Sequence, residues 1–174
     1  QWDVSNVENM NHMFASSRFN GDIEKWNVSK AVCMRYMFCE SMFDGDISSW
    51  DVRNVRDMVG MFSYSKFNGY IGGWNTGNVE KMNYMFYNSV FNQDISQWDT
   101  SKVTRMEGMF SGSPFNQPIG NWNIRSVQHV YGIFRDTKFN QNLHRWSVIR
   151  PDLINDLDVD RSLFKYDFYR KWIE

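Results

Sequence analysis

The sequence predicts an α/β repeat solenoid of 24-residue coils. Each coil is expected to carry one short parallel strand and a short helical turn, with a capping helix at the C-terminal end. Three observations carry this prediction. Seven of the eight tryptophans fall 24 residues apart: Trp2, Trp26, Trp50, Trp74, Trp98, Trp122 and Trp146. Ten of the eleven methionines and twelve of the fourteen phenylalanines repeat in the same register. The register runs without an insertion across six intervals and fails after Trp146. Residues 1–148 are therefore read as six complete repeats and the start of a seventh, and residues 149–174 as a helical cap.

Counting each tryptophan as position 0, position +2 is Val4, Val28, Val52, Thr76, Thr100, Ile124 and Val148. All are β-branched, and two apolar residues spaced by two predict a short strand with both side chains inward. Positions +5, +8, +11 and +12 (Val7, Met10, Met13 and Phe14 in the first coil) have the spacing of one apolar stripe on a helical turn. Ser5 with Glu8 three residues on reads as a capping box for that turn. Position +17 is Phe throughout, and +21 is Ile or Leu, completing the inward set. Position +15 is Ser or Thr in every coil, a hydroxyl suited to closing a turn on the backbone. Position +18 is Asn20, Asp44, Asn68, Asn92, Asn116 and Asn140. Stacked in register, Asn20, Asn68, Asn92, Asn116 and Asn140 are expected to form a structural ladder that satisfies bend backbone in successive coils.

The run Trp-Asp-Val-Ser-Asn-Val-x-x-Met-x-x-Met-Phe followed by Phe-Asn-x-Asp-Ile resembles the BspA-like leucine-rich-repeat surface proteins. It is most similar to their Trp/Met/Phe-rich variant, catalogued as a mycoplasma domain of unknown function. The likeness covers residues 1 to 148. It implies a leucine-rich-repeat-like solenoid with a parallel sheet on one face, and a role in adhesion or protein binding at the cell surface or after secretion. It carries no catalytic residue to this chain.

Beyond Trp146 the pattern changes. Phe164, Phe168 and Trp172 are spaced four apart, with Leu163 beside them, which predicts an amphipathic helix from about Asp160 laid over the last coil. The run Asp156-Leu157-Asp158-Val159-Asp160 alternates carboxylates but has Arg161 where a calcium loop needs Gly, so calcium is not expected. At the other end the register begins in mid-repeat. The chain is expected to be a piece of something longer, and its uncovered first coil to be a possible self-association surface.

Net charge is -1 and the pI about 6.3, which gives no electrostatic footing for nucleic acid or an anionic membrane. Mean hydropathy is -0.57, that of a narrow aromatic core in a polar wrapping, and no apolar run is long enough to insert in a bilayer. Cys33 and Cys39 share one repeat without metal-site spacing, and are read as unpaired thiols. His12, His129 and His144 occupy unrelated positions, so the chain is not expected to be an enzyme, to hold a cofactor or metal, or to bind a small molecule.

Partner contacts are expected on outward positions. The first candidate is the sheet face: Asp3, Asn27, Asp51, Asn75, Asp99 and Asn123 at +1, with Arg53 and Arg125 at +3. The alternation of Asp and Asn would also let an Asn donate to its neighbour across the stack. The second candidate is the convex side, where Tyr36, Tyr64, Tyr84 and Tyr87 gather. The expected function is a non-enzymatic protein-binding or adhesion module. The alternative is a structural scaffold subunit of a virion or surface lattice.

Overall fold

The computed structural model describes residues 2–158, apart from the side chain of Ser147. The helix expected around Phe164, Phe168 and Trp172 lies outside the described residues. Within them, 24-residue coils stack in parallel. Isolated parallel bridges run through one position of every coil, from Asn9 to Cys33, Asp57, Lys81, Arg105 and His129.

Those bridges are at +7, inside the segment expected to be a helical turn, and no extended strand forms at Trp-x-Val. The backbone explains both differences. Alternate N–H groups leave their own coil: Met58 donates to the Lys81 carbonyl (2.9 Å), Gly60 to Asn83 (3.0 Å), Phe62 to Met85 (2.9 Å) and Tyr64 to Tyr87 (2.7 Å). The residues between them close tight turns, with Met61 donating to Met58 (3.2 Å), Ser63 to Gly60 (3.0 Å) and Ser65 to Phe62 (3.3 Å). An α-helix needs every N–H to return four residues back, so a segment that lends half its donors to the next coil cannot be one. Left-handed residues also interrupt any right-handed run. They recur at +10 (Tyr36 φ 53°, Gly60 φ 60°, Tyr84 φ 59°) and at +14 (Glu40, Tyr64, Asn88). The Trp-x-Val segments keep both side chains inward, Trp50 and Val52 being 3% and 1% exposed, but their backbone is held by turns on either side. At +2 in two coils the threonine hydroxyl ties adjacent coils, Thr76 donating to the Asp99 carbonyl and Thr100 to that of Asn123 (both 3.0 Å).

Columns of identical side chains fill the interior. Phe62 stacks on Phe38 and Phe86, with centroids 5.6 and 5.8 Å away and planes 3° apart. Trp98 stacks between Trp74 and Trp122 at 6.4 and 6.3 Å. Each central indole N–H reaches back past its neighbour: Trp50 to the Ile23 carbonyl, Trp74 to Ile47, Trp98 to Ile71 and Trp122 to Ile95 (3.0–3.1 Å). A buried indole donor left without an acceptor would cost roughly 1–3 kcal/mol, so this bond is what admits Trp to the core. The polar columns are equally regular. Side-chain oxygens at +18 accept the next coil's +18 N–H, from Asn20 to Asp44 through Asn116 to Asn140 (2.8–3.0 Å). Only an acceptor is needed there, which is why Asp44 substitutes for Asn. Hydroxyls at +15 accept the N–H two residues on, as Ser65 does from Phe67 (3.1 Å).

The register ends at a six-residue helix, α1 (His144–Ile149), followed by a 3-10 helix, Pro151–Asp156. Trp146 still stacks on Trp122 at 6.4 Å, but its plane is turned by 22° and its buried Nε1 has no partner among the described residues. Leu153 and Leu157 are buried, and with Ile124, Val127, Val130 and Trp146 they enclose the apolar end of the last coil. Cys33 and Cys39 are free and half-buried. No helix among the described residues is long and apolar enough to cross a membrane, and no group of three or more His, Cys, Asp or Glu among them is placed to hold a metal ion.

Candidate functional site

The two expected faces fare differently. On the +1 row, Asp3, Asn27, Asp51, Asn75, Asp99 and Asn123 each turn a side-chain oxygen onto the N–H of their own +3 residue (2.9–3.3 Å). These are Asx turns, which hold the corner after each tryptophan. The expected donation from an Asn of the row to its neighbour in the stack does not occur among the described residues; each side-chain oxygen accepts from its own turn instead. Arg53 folds back on Asp51 (Nε to Oδ1, 2.8 Å), and the Arg125 N–H is the one capped by Asn123. The row is exposed for most of its length, yet it lies on a turn corner and not on a sheet. Ser hydroxyl and N–H bonds to Asp3 and Asp99, and N–H and hydroxyl bonds to Asp46 and Asp94 at +20, hold these carboxyls below the usual carboxylate range.

The tyrosine side is a groove. Tyr36, Tyr84 and Tyr87 line it with Asn88, Tyr131 and Arg135, and its volume is about 610 Å³. It runs along the stack from the second coil to the sixth, between the +10 column and the +13 and +14 columns. Tyr64 stands beside it, edge-on to Tyr87 (5.3 Å, 80°), and Tyr84 meets Tyr87 in the same way from the other side (5.8 Å, 89°). The Tyr87 hydroxyl titrates above the ordinary tyrosine range, first because it is hydrogen-bonded to Tyr64. At the far end the Arg135 guanidinium stacks over Tyr131, 5.0 Å from its centroid, and donates to the Tyr131 hydroxyl (2.5 Å) and to Asp158 (2.8 Å). Asp136 makes no hydrogen bond or ion pair with another described residue.

Four of these residues (Asn88, Tyr131, Arg135 and Asp136) were not anticipated from the sequence, and one signal would have found their setting. Position +10 reads His12, Tyr36, Gly60, Tyr84, Gly108 and Gly132, all left-handed. Added to Gly60, a Cβ would collide with the Tyr36 ring, and at Gly108 it would lie 2.6 Å from Tyr84 Cε1. Each tyrosine thus lies over the glycine of the next coil, and the alternation of bulk and vacancy makes the groove. The groove has aromatic walls, hydroxyl groups and one carboxylate, Asp136, that has no partner among the described residues. Nothing in this arrangement pairs a nucleophile with a base.

The chain matches no curated protein and no solved structure. The family described as "Mycoplasma protein of unknown function, DUF285" matches residues 1–90 and 63–167. Together these spans take in nearly all of the repeat array and its end, and the chain belongs to that family.

Proposed function

We infer that the stacked coils form a leucine-rich-repeat-like solenoid of the BspA-like kind, serving as a non-enzymatic protein-binding or adhesion module on a surface or secreted protein. The 24-residue translation and the parallel bridges support the architecture. The observation that carries the function is the tyrosine groove. The polar columns at +1, +15 and +18 are spent on the repeat's own turns, whereas Tyr64, Tyr84 and Tyr131 remain 50%, 42% and 59% exposed. Large, semi-rigid aromatics held on a regular scaffold are the side chains that dominate protein contacts.

The test is site-specific photo-crosslinking in the native source, with the photoreactive group at position 84 or, as a control, at position 123. A single foreign protein captured from position 84 and not from 123 supports the reading. Capture from 123 alone would move the interface to the +1 row. Capture of further copies of this chain only would replace partner recognition by the scaffold role in a lattice or virion.

A further inference from the structure

The oxygens of the +1 row are spent on their own turns, but its amide nitrogens are not. Three asparagines stand in this row, Asn27, Asn75 and Asn123, each exposed at the corner after a tryptophan. Each Oδ1 accepts the N–H of its +3 residue (3.1, 3.3 and 3.2 Å), and none of the three Nδ2 atoms has a hydrogen-bond partner among the described residues. By contrast, the amide nitrogens of Asn54 and Asn78 donate to the carbonyls of Ser29 (2.7 Å) and Arg53 (2.8 Å). What separates the three is position +3, which reads Ser29, Gly77 and Arg125. Only Asn27 has a hydroxyl there, and Asn27-Val28-Ser29 is the one Asn-x-Ser or Asn-x-Thr run in the chain.

We propose that Asn27 is a modification site that takes an N-linked oligosaccharide, transferred from a lipid-pyrophosphate donor. The proposal rests on the surface or secreted reading above, because this acceptor motif is used where a chain enters a secretory compartment. The local geometry fits the reaction at three points. Val28 is 1% exposed, so the middle of the motif is pinned in the core while Asn27 stays outside. Ser29 is held from both sides, its N–H by Asn27 and its carbonyl by Asn54. In two sister coils the +3 hydroxyl bonds the +1 side chain, Ser5 to Asp3 and Ser101 to Asp99, so a serine at this position reaches the group beside it. The transfer is a substitution at the sugar. Nδ2 bonds to the anomeric carbon, and the bond from that carbon to the pyrophosphate oxygen breaks. The pyrophosphate leaves with the electron pair, and the amide gives up one proton. Oδ1 keeps its acceptor role, so the Asx turn survives in the product. No residue of the +1 row lines the tyrosine groove, so the attachment point is outside it.

The test is peptide mass spectrometry of the full chain from its native source. N-glycans are first removed by a glycan-specific amidase in heavy-oxygen water, which leaves a labelled aspartate wherever a glycan stood. Label at position 27, and none at 75 or 123, is expected. No label at 27 overturns the proposal. Two variants expressed in the same source separate the hydroxyl from the turn. Ser29→Ala keeps the N–H that closes the turn, so it should lose the glycan entirely while its urea midpoint matches that of the deglycosylated parent. Arg125→Thr brings a hydroxyl to a turn already formed at Asn123, and should add a second glycan, seen as a further amidase-sensitive loss of gel mobility. Persistence of the glycan in Ser29→Ala overturns the assignment. So does an unmodified Asn123 in an Arg125→Thr chain that melts like the parent. A native chain unlabelled at 27 but crosslinked to a foreign protein through position 84 would sink this inference and leave the protein-binding reading standing. Label at 27 with only self-capture in crosslinking would do the reverse.

Discussion

Trp98→Ala tests the interior most severely, because the structure gives each part of its cost. The side chain is 3% exposed, and it stacks on Trp74 and Trp122 and tilts against Phe86 at 6.3 Å. Truncating a buried aromatic to Ala costs about 3–5 kcal/mol. The substitution also strips the Ile71 carbonyl of its indole donor (3.0 Å), worth about 1 kcal/mol more. A loss near the top of that range, about 5 kcal/mol, is therefore expected, and in a stack it falls on the contacts to both neighbouring coils. Trp98→Phe keeps a ring in the column but not the donor, and should cost about 2 kcal/mol. Trp2→Ala, at a side chain 69% exposed, should cost less than about 0.5 kcal/mol. Urea unfolding followed by far-UV circular dichroism separates the three. With a slope of about 2 kcal/mol per molar, Trp98→Ala should move the midpoint down by about 2.5 M. A shift no larger than that of Trp2→Ala would refute the claim that the tryptophan column is the core.

At +18, Asn92→Ala should cost about 1 kcal/mol, because the Asn116 N–H (2.9 Å) and the Gln117 amide (3.1 Å) both lose their acceptor, whereas Asn92→Asp should be tolerated at neutral pH, as Asp44 is; urea midpoints decide. Gly108→Ala places a Cβ 2.6 Å from the Tyr84 ring at φ +56° and should destabilise by about 1–3 kcal/mol, while Gly73→Ala, with open space around it, should be neutral or stabilise by up to about 1 kcal/mol; thermal melts of the pair measure the contrast. Asp46, Asp94 and Asp99 titrate lower folded than unfolded, so their contribution is complete above the ordinary carboxylate value near pH 4 and is lost as pH falls through the lower folded values. Replacing all three with Asn should flatten the dependence of the urea midpoint on pH below about 5, and an unchanged acid limb would show that these turns do not set it.

Periodicity made much of this molecule legible. Trp at 0, Met at +8 and +11, and Phe at +12 and +17 announce buried columns, because residues of such bulk repeated every 24 positions have only one another to pack against. The hydroxyls at +15 and the amides at +18 were legible for a related reason, since each bend leaves an N–H for a side-chain acceptor, supplied within the turn at +15 and by the preceding coil at +18. The local structure between those columns was misread. Val7, Met10, Met13 and Phe14 have helical spacing, but spacing records only which side chains face inward. Where the N–H groups go is a separate matter, and in this segment every second one goes to the next coil. The same limit applies to Asp3, Asn27 and the rest of the +1 row, whose variability suggested an interface until their oxygens were found on the N–H groups of their own turns.

The sequence by itself determined the repeat length, the inward columns and the place where the register fails, because burial of large apolar side chains is written in residue type and spacing. Only the tertiary structure decided that the coils bond through +7 to +14 and not through Trp-x-Val, that the +1 row is consumed by its own turns, and that tyrosine over glycine opens a groove. The first depends on backbone donors that reach carbonyls 23 residues on, and the groove on side chains that lie over the next coil, which no single coil can specify without its neighbours. The +1 row turns on which atom its oxygens meet, which residue type leaves open.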